Sequence, residues 1–283
     1  MSTATVRGVQ INYEVLGSQG PWMALSPGGR RPLQGVKPLA QRMADAGYRV
    51  VIHDRRNCGA SEVTIGGKDP ENEMWADDLH ELLRQLGALP VIVGGGSSGC
   101  RLAILFALRH PKLVEALLLW RITGGRFAAE RLARQYYTQY IEAAEAGGMA
   151  AVCATEHWQE RISARPANGQ YLMKMDAKRF IGAMLRWREY FLQGADLPII
   201  GASEADLGSI TVPACVIPGN DRTHDLNTGR NLARLLPNCE LHELFEKDED
   251  LDLVPPEEWQ KKDGEISGIF TDFLQRARAP VRA

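Results

Sequence analysis

Cysteine is scarce and unpaired in this 283-residue sequence: five residues, Cys58, Cys100, Cys153, Cys215 and Cys239, scattered and without CxxC spacing. An odd, dispersed set builds neither a disulfide framework nor a structural zinc site, and it fits a reducing cytoplasm. Long apolar runs are missing too. Stretches such as LAILFAL fall far short of the roughly 20 residues that span a bilayer. The opening MSTATVRGVQINYEVLG has no basic segment followed by an apolar one, so no signal peptide is expected. Neither sign of charge is in excess. A formal net charge of -2, broken into short groups, argues against nucleic acid and membrane as partners. What remains is a cytoplasmic protein whose partner is a small molecule, with homo-oligomerisation left open.

Apolar residues are plentiful at 45%, enough for a large core. VQINYEVLG alternates like a half-buried strand, and PWMALSPGG reads as a short buried strand ending in a glycine turn. An amphipathic helix, KPLAQRMADAG, leads to the strand YRVVIHD. The helix MWADDLHELLRQLGA, the strand PVIVGGG, the helix CRLAILFALRH and the strand VEALLLW follow. Such alternation predicts an α/β fold with a mostly parallel central sheet and helices on both faces. From Gly124 to about Gly208 only helical patterns occur, and the alternation then resumes with PACVIPGND, TGRNLARLLP, CELHELF and a last helix through EEWQKKDGEISGIFTDFLQRAR. The expected organisation is an α/β core over 1–123, an inserted helical cap over 124–208, and the second part of the core over 209–283.

Chemistry concentrates at one turn. Gly95, Gly96, Ser97, Ser98 and Gly99 match G-x-S-x-G, with a buried strand before and a helix after. In that setting a serine is raised on a strained turn at the amino end of a helix, where the helix terminus and the Ser98 N–H favour negative charge. A phosphate loop would need the P-loop lysine or GxGxxG spacing, and GGGSSG has neither.

On these residues the chain resembles the α/β-hydrolase superfamily over nearly its whole length. HDRRNCGAS is similar to the D-x-R-G-x-G-x-S segment of that family, from Asp54 to Ser61, and CVIPGND looks like the strand and loop that carry its acid. The helical insertion stands where the family places its cap. The resemblance implies Ser97 as nucleophile and an oxyanion hole from the backbone of Ser98 and of the early loop SPGGRR, where Gly29 is the first candidate and Arg30 the next. It implies Asp221 as the acid, with Asp225 as fallback.

The family's histidine is expected after the last strand, but the loop EKDEDLDLVPPEEW contains none. The chain's histidines are His53, His80, His110, His157, His224 and His242. His224, three residues past Asp221 on the acid's own loop, is the candidate base; capping the next helix is the competing role. A desolvated carboxylate among Asp248, Glu249, Asp250 and Asp252 is another route to a base. Arginines recur in the segments expected around the site (Arg30, Arg31, Arg55, Arg56, Arg101, Arg121), which suggests an acidic substrate or structural ion pairs. Arg30, Trp120 and His157 are the candidate substrate contacts. The expected activity is cofactor-independent and metal-free hydrolysis of an ester, lactone or carbon–carbon bond in a small molecule, one that carries a carboxylate if those arginines read it. A lyase or isomerase on the same scaffold, or a silent binding protein, is the alternative.

Overall fold

The computed structural model describes residues 2–278. Its centre is an eight-stranded sheet ordered β1-β2-β4-β3-β5-β6-β7-β8. The strands are β1 (Ser2–Val6), β2 (Val9–Leu16), β3 (Trp22–Ser26), β4 (Arg49–His53), β5 (Val91–Gly96), β6 (Val114–Trp120), β7 (Ala214–Ile217) and β8 (Cys239–Leu241). β1 and β2 form an antiparallel hairpin on the edge, β2 pairs antiparallel with β4, and every later pairing is parallel. The hairpin turns through Arg7 and Gly8, both at positive φ, as tight hairpin turns require.

The central strands explain their sequences. β5 is buried along its whole length and β6 everywhere but at Glu115, so both read as near-continuous apolar runs where an edge strand alternates. One face is packed by α2 (Glu71–Gln85) and α3 (Ser98–Arg109), through Leu79, Leu82 and Phe106. α1 (Lys37–Asp45) and the C-terminal helix cover the other, through Leu39, Met43, Phe270 and Phe273. α3 packs against α2 and against β3, β5 and β6, and its side chains from Leu102 to Ala107 are all buried.

Between β6 and β7 the chain forms helices, with an isolated bridge from Ile199 to Ala202. These are α4 (Gly125–Ala133), α5 (Gln139–Ala154), α6 (Glu156–Ala164), α7 (Pro166–Lys174), α8 (Ala177–Gln193) and α9 (Glu204–Gly208), and a π-helical turn at Arg134–Thr138 joins α4 to α5. They bury a core of their own around Tyr137, Trp158, Phe180 and Trp187. After β7 come α10 (Leu226–Leu235), β8, α11 (Pro256–Gln260) and α12 (Asp263–Arg278). The long final helix expected from the sequence is therefore two helices. Asp263 and Gly264 open the second, where an acid suits the helix dipole and glycine costs less than inside a helix.

Candidate active site

Ser97 sits between β5 and α3 at φ 54° and ψ −113°, a conformation that L residues seldom adopt. Close packing on both sides holds it there. A Cβ on Gly95 would fall 2.3 Å from the carbonyl carbon of Gly99, and one on Gly99 would fall 2.2 Å from the carbonyl oxygen of Ser26. Strand and helix meet at distances only glycine permits, and the turn between them is forced upward. The Ser97 N–H donates to the carbonyls of Trp120 and Arg121, each at 3.1 Å, which ties the turn to the end of β6.

The loop after β7 delivers two side chains to Ser97. His224 Nε2 lies 2.8 Å from Ser97 Oγ, and His224 Nδ1 lies 2.8 Å from Asp221 Oδ1. Asp221 Oδ1 also accepts the N–H groups of Thr223 at 3.0 Å and His224 at 2.9 Å. Its Oδ2 accepts from Val254 N at 2.9 Å and Arg121 Nη2 at 3.0 Å. The loop folds over Gly219, where a Cβ would fall 2.3 Å from that of His224. Thr123 Oγ1 stands 3.2 Å from Ser97 Oγ on the other side.

This environment fixes the protonation states. Burial disfavours charge on His224, outweighing the support of Asp221, and Arg121 adds to the effect; the imidazole is pushed down to about 4 and is neutral at pH 7. For Asp221 burial works in the opposite direction, but the bonds from His224 and Val254 and the Arg121 charge hold the carboxylate down to about 2. A neutral imidazole with Nδ1–H on a carboxylate leaves Nε2 free to accept the serine proton.

Gly29 lies beside this group, at φ 55°. Its carbonyl accepts from Ser98 Oγ at 2.6 Å and Arg55 Nη2 at 2.7 Å, and Arg55 Nη1 donates to Ser98 Oγ at 2.7 Å. The early loop and the first residue of α3 are thus clamped together by one guanidinium. A cavity of about 260 Å³ opens at Ser97 and His224, walled by the early loop, by α4 and the π-helical turn, and by α11–α12.

Of the candidate substrate contacts, Arg30 and Trp120 line this cavity. Arg30 is partly committed, since its Nη2 pairs with Glu71 Oε2 at 2.5 Å. His157 does not reach the cavity. It lines a separate depression, with its ring against Tyr140 and Trp158 at 5.2 and 4.8 Å, because α6 packs it toward α5. Asp225 is the N-cap of α10, accepting from Thr228 N at 2.9 Å, and Asp248 supports the same turn through Leu226 N at 3.0 Å. Those carboxylates are engaged in holding the helix. Thr123 and Val254 carried no local signal in the sequence; Arg55 and Arg121 stood among the arginines expected around the site, but their particular partners did not, since each acts through contacts far along the chain. No group of three or more His, Cys, Asp or Glu is placed to hold a metal ion among the described residues, and no helix there is long and apolar enough to cross a membrane.

The profile of the alpha/beta hydrolase fold matches residues 31–253. The chain is similar to an uncharacterized hydrolase of Bacillus subtilis (strain 168), 33% identical over 116 residues, which span 41% of this chain and 42% of that protein. It is also similar to the non-heme chloroperoxidase CPO-A1 of Kitasatospora aureofaciens, 27% identical over 253 residues, 85% of this chain and 89% of that protein. Among solved structures, the enol-lactonase of Burkholderia xenovorans LB400 shares the fold with a TM-score of 0.63 at 21% identity, covering 97% of this chain and all of that one.

Proposed function

The chain belongs to the alpha/beta hydrolase fold family, and from that premise we propose that it is a serine hydrolase acting on an ester, a lactone or an activated carbon–carbon bond of a small molecule. One observation carries the reading: His224 bridges Ser97 Oγ and Asp221 Oδ1, at 2.8 Å on each side. In the first step Ser97 Oγ attacks the carbonyl carbon and its proton passes to His224 Nε2. Asp221 holds the tautomer and stabilises the imidazolium. The N–H groups of Gly29 and Ser98 take the negative oxygen, each such donor typically contributing about 2.7–4 kcal/mol. His224 then returns the proton to the leaving group. A water activated by the same imidazole hydrolyses the acyl-enzyme. The acid and base come from one loop, three residues apart, so the usual base position after β8 is not needed. Residues 124–208 serve as the cap over this site.

A fluorophosphonate probe read by intact mass tests the assignment. Folded wild-type protein should gain one adduct, mapped to Ser97. Ser97→Ala should gain none and should hydrolyse no p-nitrophenyl ester, and His224→Ala should react about 10²–10⁴-fold more slowly. An unlabelled wild type, or a Ser97→Ala variant that still turns over, overturns the reading.

A further inference from the structure

Among the described residues, three buried guanidinium groups close to the Ser97 turn outnumber the carboxylates that pair with them. Arg101, one turn beyond Ser97 on α3, is 1% exposed, and none of its three guanidinium nitrogens has a hydrogen-bond partner among the described residues. Its Cζ lies 4.5 Å from the ring centroid of Phe191 on α8. Arg30 is 5% exposed; Nη2 is held by Glu71, while Nε and Nη1 have no partner among the described residues. Two tyrosines stand between these arginines. Arg30 Cζ is 5.2 Å from the Tyr136 ring and 5.0 Å from the Tyr137 ring, and Phe191 is 5.9 and 5.5 Å from the same two. The π-helical turn makes this arrangement, since its wider turn, closed by i→i+5 hydrogen bonds, lets two consecutive tyrosines both face inward. Tyr137 donates to Glu71 at 3.2 Å. Tyr136 lines the Ser97 cavity, its hydroxyl 3.7 Å from where a Cβ on Gly29 would lie. Arg55, its Nε unpartnered among the described residues, completes the group.

Arg30, Arg55 and Arg101 therefore share one hydrogen-bonded carboxylate, Glu71, among the described residues. Guanidinium keeps its proton in proteins, so the surplus is real positive charge in a dry setting, and such charge is costly unless an anion meets it. Of the three, Arg30 lines the cavity, where Arg131 of α4 adds a further cation, whereas Asp263 on the α12 side repels an anion. We propose that the Arg30–Tyr136 wall is an anion subsite, with Arg101 the charge behind it, and that the substrate is a monoester or lactone bearing a free carboxylate on its acyl arm. The carboxylate accepts from Arg30 and from the Tyr136 hydroxyl while the scissile carbonyl meets Ser97. This inference rests on the hydrolase reading above.

Initial rates with mono-p-nitrophenyl glutarate and with p-nitrophenyl valerate, nearly equal in shape, separate the charge from the chain. Wild type should favour the acidic ester by roughly tenfold or more in kcat/KM, as charge-assisted hydrogen bonds provide. Arg101→Met, which keeps the packing on Phe191, should lower that ratio by roughly tenfold, mainly through KM; Arg101→Lys should restore part of it. No preference in wild type, or a variant that loses both esters in parallel, overturns the proposal. Calorimetric binding of glutarate and of glutaramide to Ser97→Ala gives a readout free of turnover and needs no arginine variant. Glutarate alone should bind, and equal or absent binding of the two counts against the subsite. If neither ester is hydrolysed but glutarate still binds selectively, the hydrolase reading fails and the subsite stands.

Discussion

The turn that carries Ser97 and the turn that carries Asp221 and His224 each follow a buried parallel strand, β5 and β7, and each ends in a helix. They are held by different means. At Ser97 main chain presses on main chain: Gly95 against Gly99, and Gly99 against Ser26, at distances that admit no side chain. After β7 a side chain organises the backbone. One carboxylate, Asp221, accepts five hydrogen bonds, two from loop N–H groups, one from the imidazole, one from Val254 and one from Arg121. The first turn depends on the size of its residues and the second on the charge of one of them. Under the proposed mechanism, fold and chemistry are therefore separable at Ser97, where the hydroxyl does little for the backbone, and inseparable at Asp221.

Asp221→Asn is the largest break in that comparison. An amide places a donor against donors, leaves buried N–H groups without an acceptor, and favours the wrong imidazole tautomer. kcat should fall by about 10⁴-fold, and the melting temperature should drop with it. Steady-state kinetics and thermal unfolding on one preparation check both. An unchanged melting temperature would mean that the carboxylate does not hold the loop.

Gly99→Ala makes the reciprocal cut. The added methyl meets the Ser26 carbonyl oxygen at 2.2 Å, and that oxygen belongs to backbone inside the sheet. A stability loss of about 1–3 kcal/mol is expected, as for other overpacked positions. The unfolding midpoint in urea measures it. A neutral result would show that strand and helix can separate and that close packing does not force the Ser97 conformation.

The same contrast governs what the sequence could reveal. Glycines required by close packing stand beside the residue they serve, so GGGSSG between an apolar strand and an apolar helix announced its turn. The alternation of strands and helices, and its halt between β6 and β7, were legible because burial on both faces imposes apolar runs. The second turn was harder. Asp221 and His224 were reached through the family position of the acid and the lack of other well-placed histidines, because the groups that organise them, Arg121 and Val254, lie 100 and 33 residues from Asp221. His157 was misplaced for a related reason. Its place in the helical insertion made it a candidate to line a pocket, but did not say whether it meets the cavity or the stack of Tyr140 and Trp158.

Arg121 gives the smallest and sharpest test. Its Nη2 bonds Asp221 Oδ2 and the Val254 carbonyl, both at 3.0 Å, and lies 3.5 Å from His224 Nδ1, so its charge faces the carboxylate and the imidazole together. Beside the imidazole that charge disfavours protonation, second only to burial among the influences lowering the His224 pKa. With His224 held down to about 4, activity should persist well below the range of an ordinary histidine and be lost only as pH falls through that value. Arg121→Met removes the repelling charge and keeps much of the packing against Trp259, whose ring centroid lies 5.1 Å from the Arg121 Cζ. The acid limb of kcat/KM should then move to higher pH, by at most about one unit, while the rate on the alkaline plateau changes least. A pH–rate profile of wild type and variant from pH 4 to 9 reads this directly. A limb that stays in place would mean that burial alone keeps the base neutral, and that Arg121 serves only to hold the carboxylate in its loop.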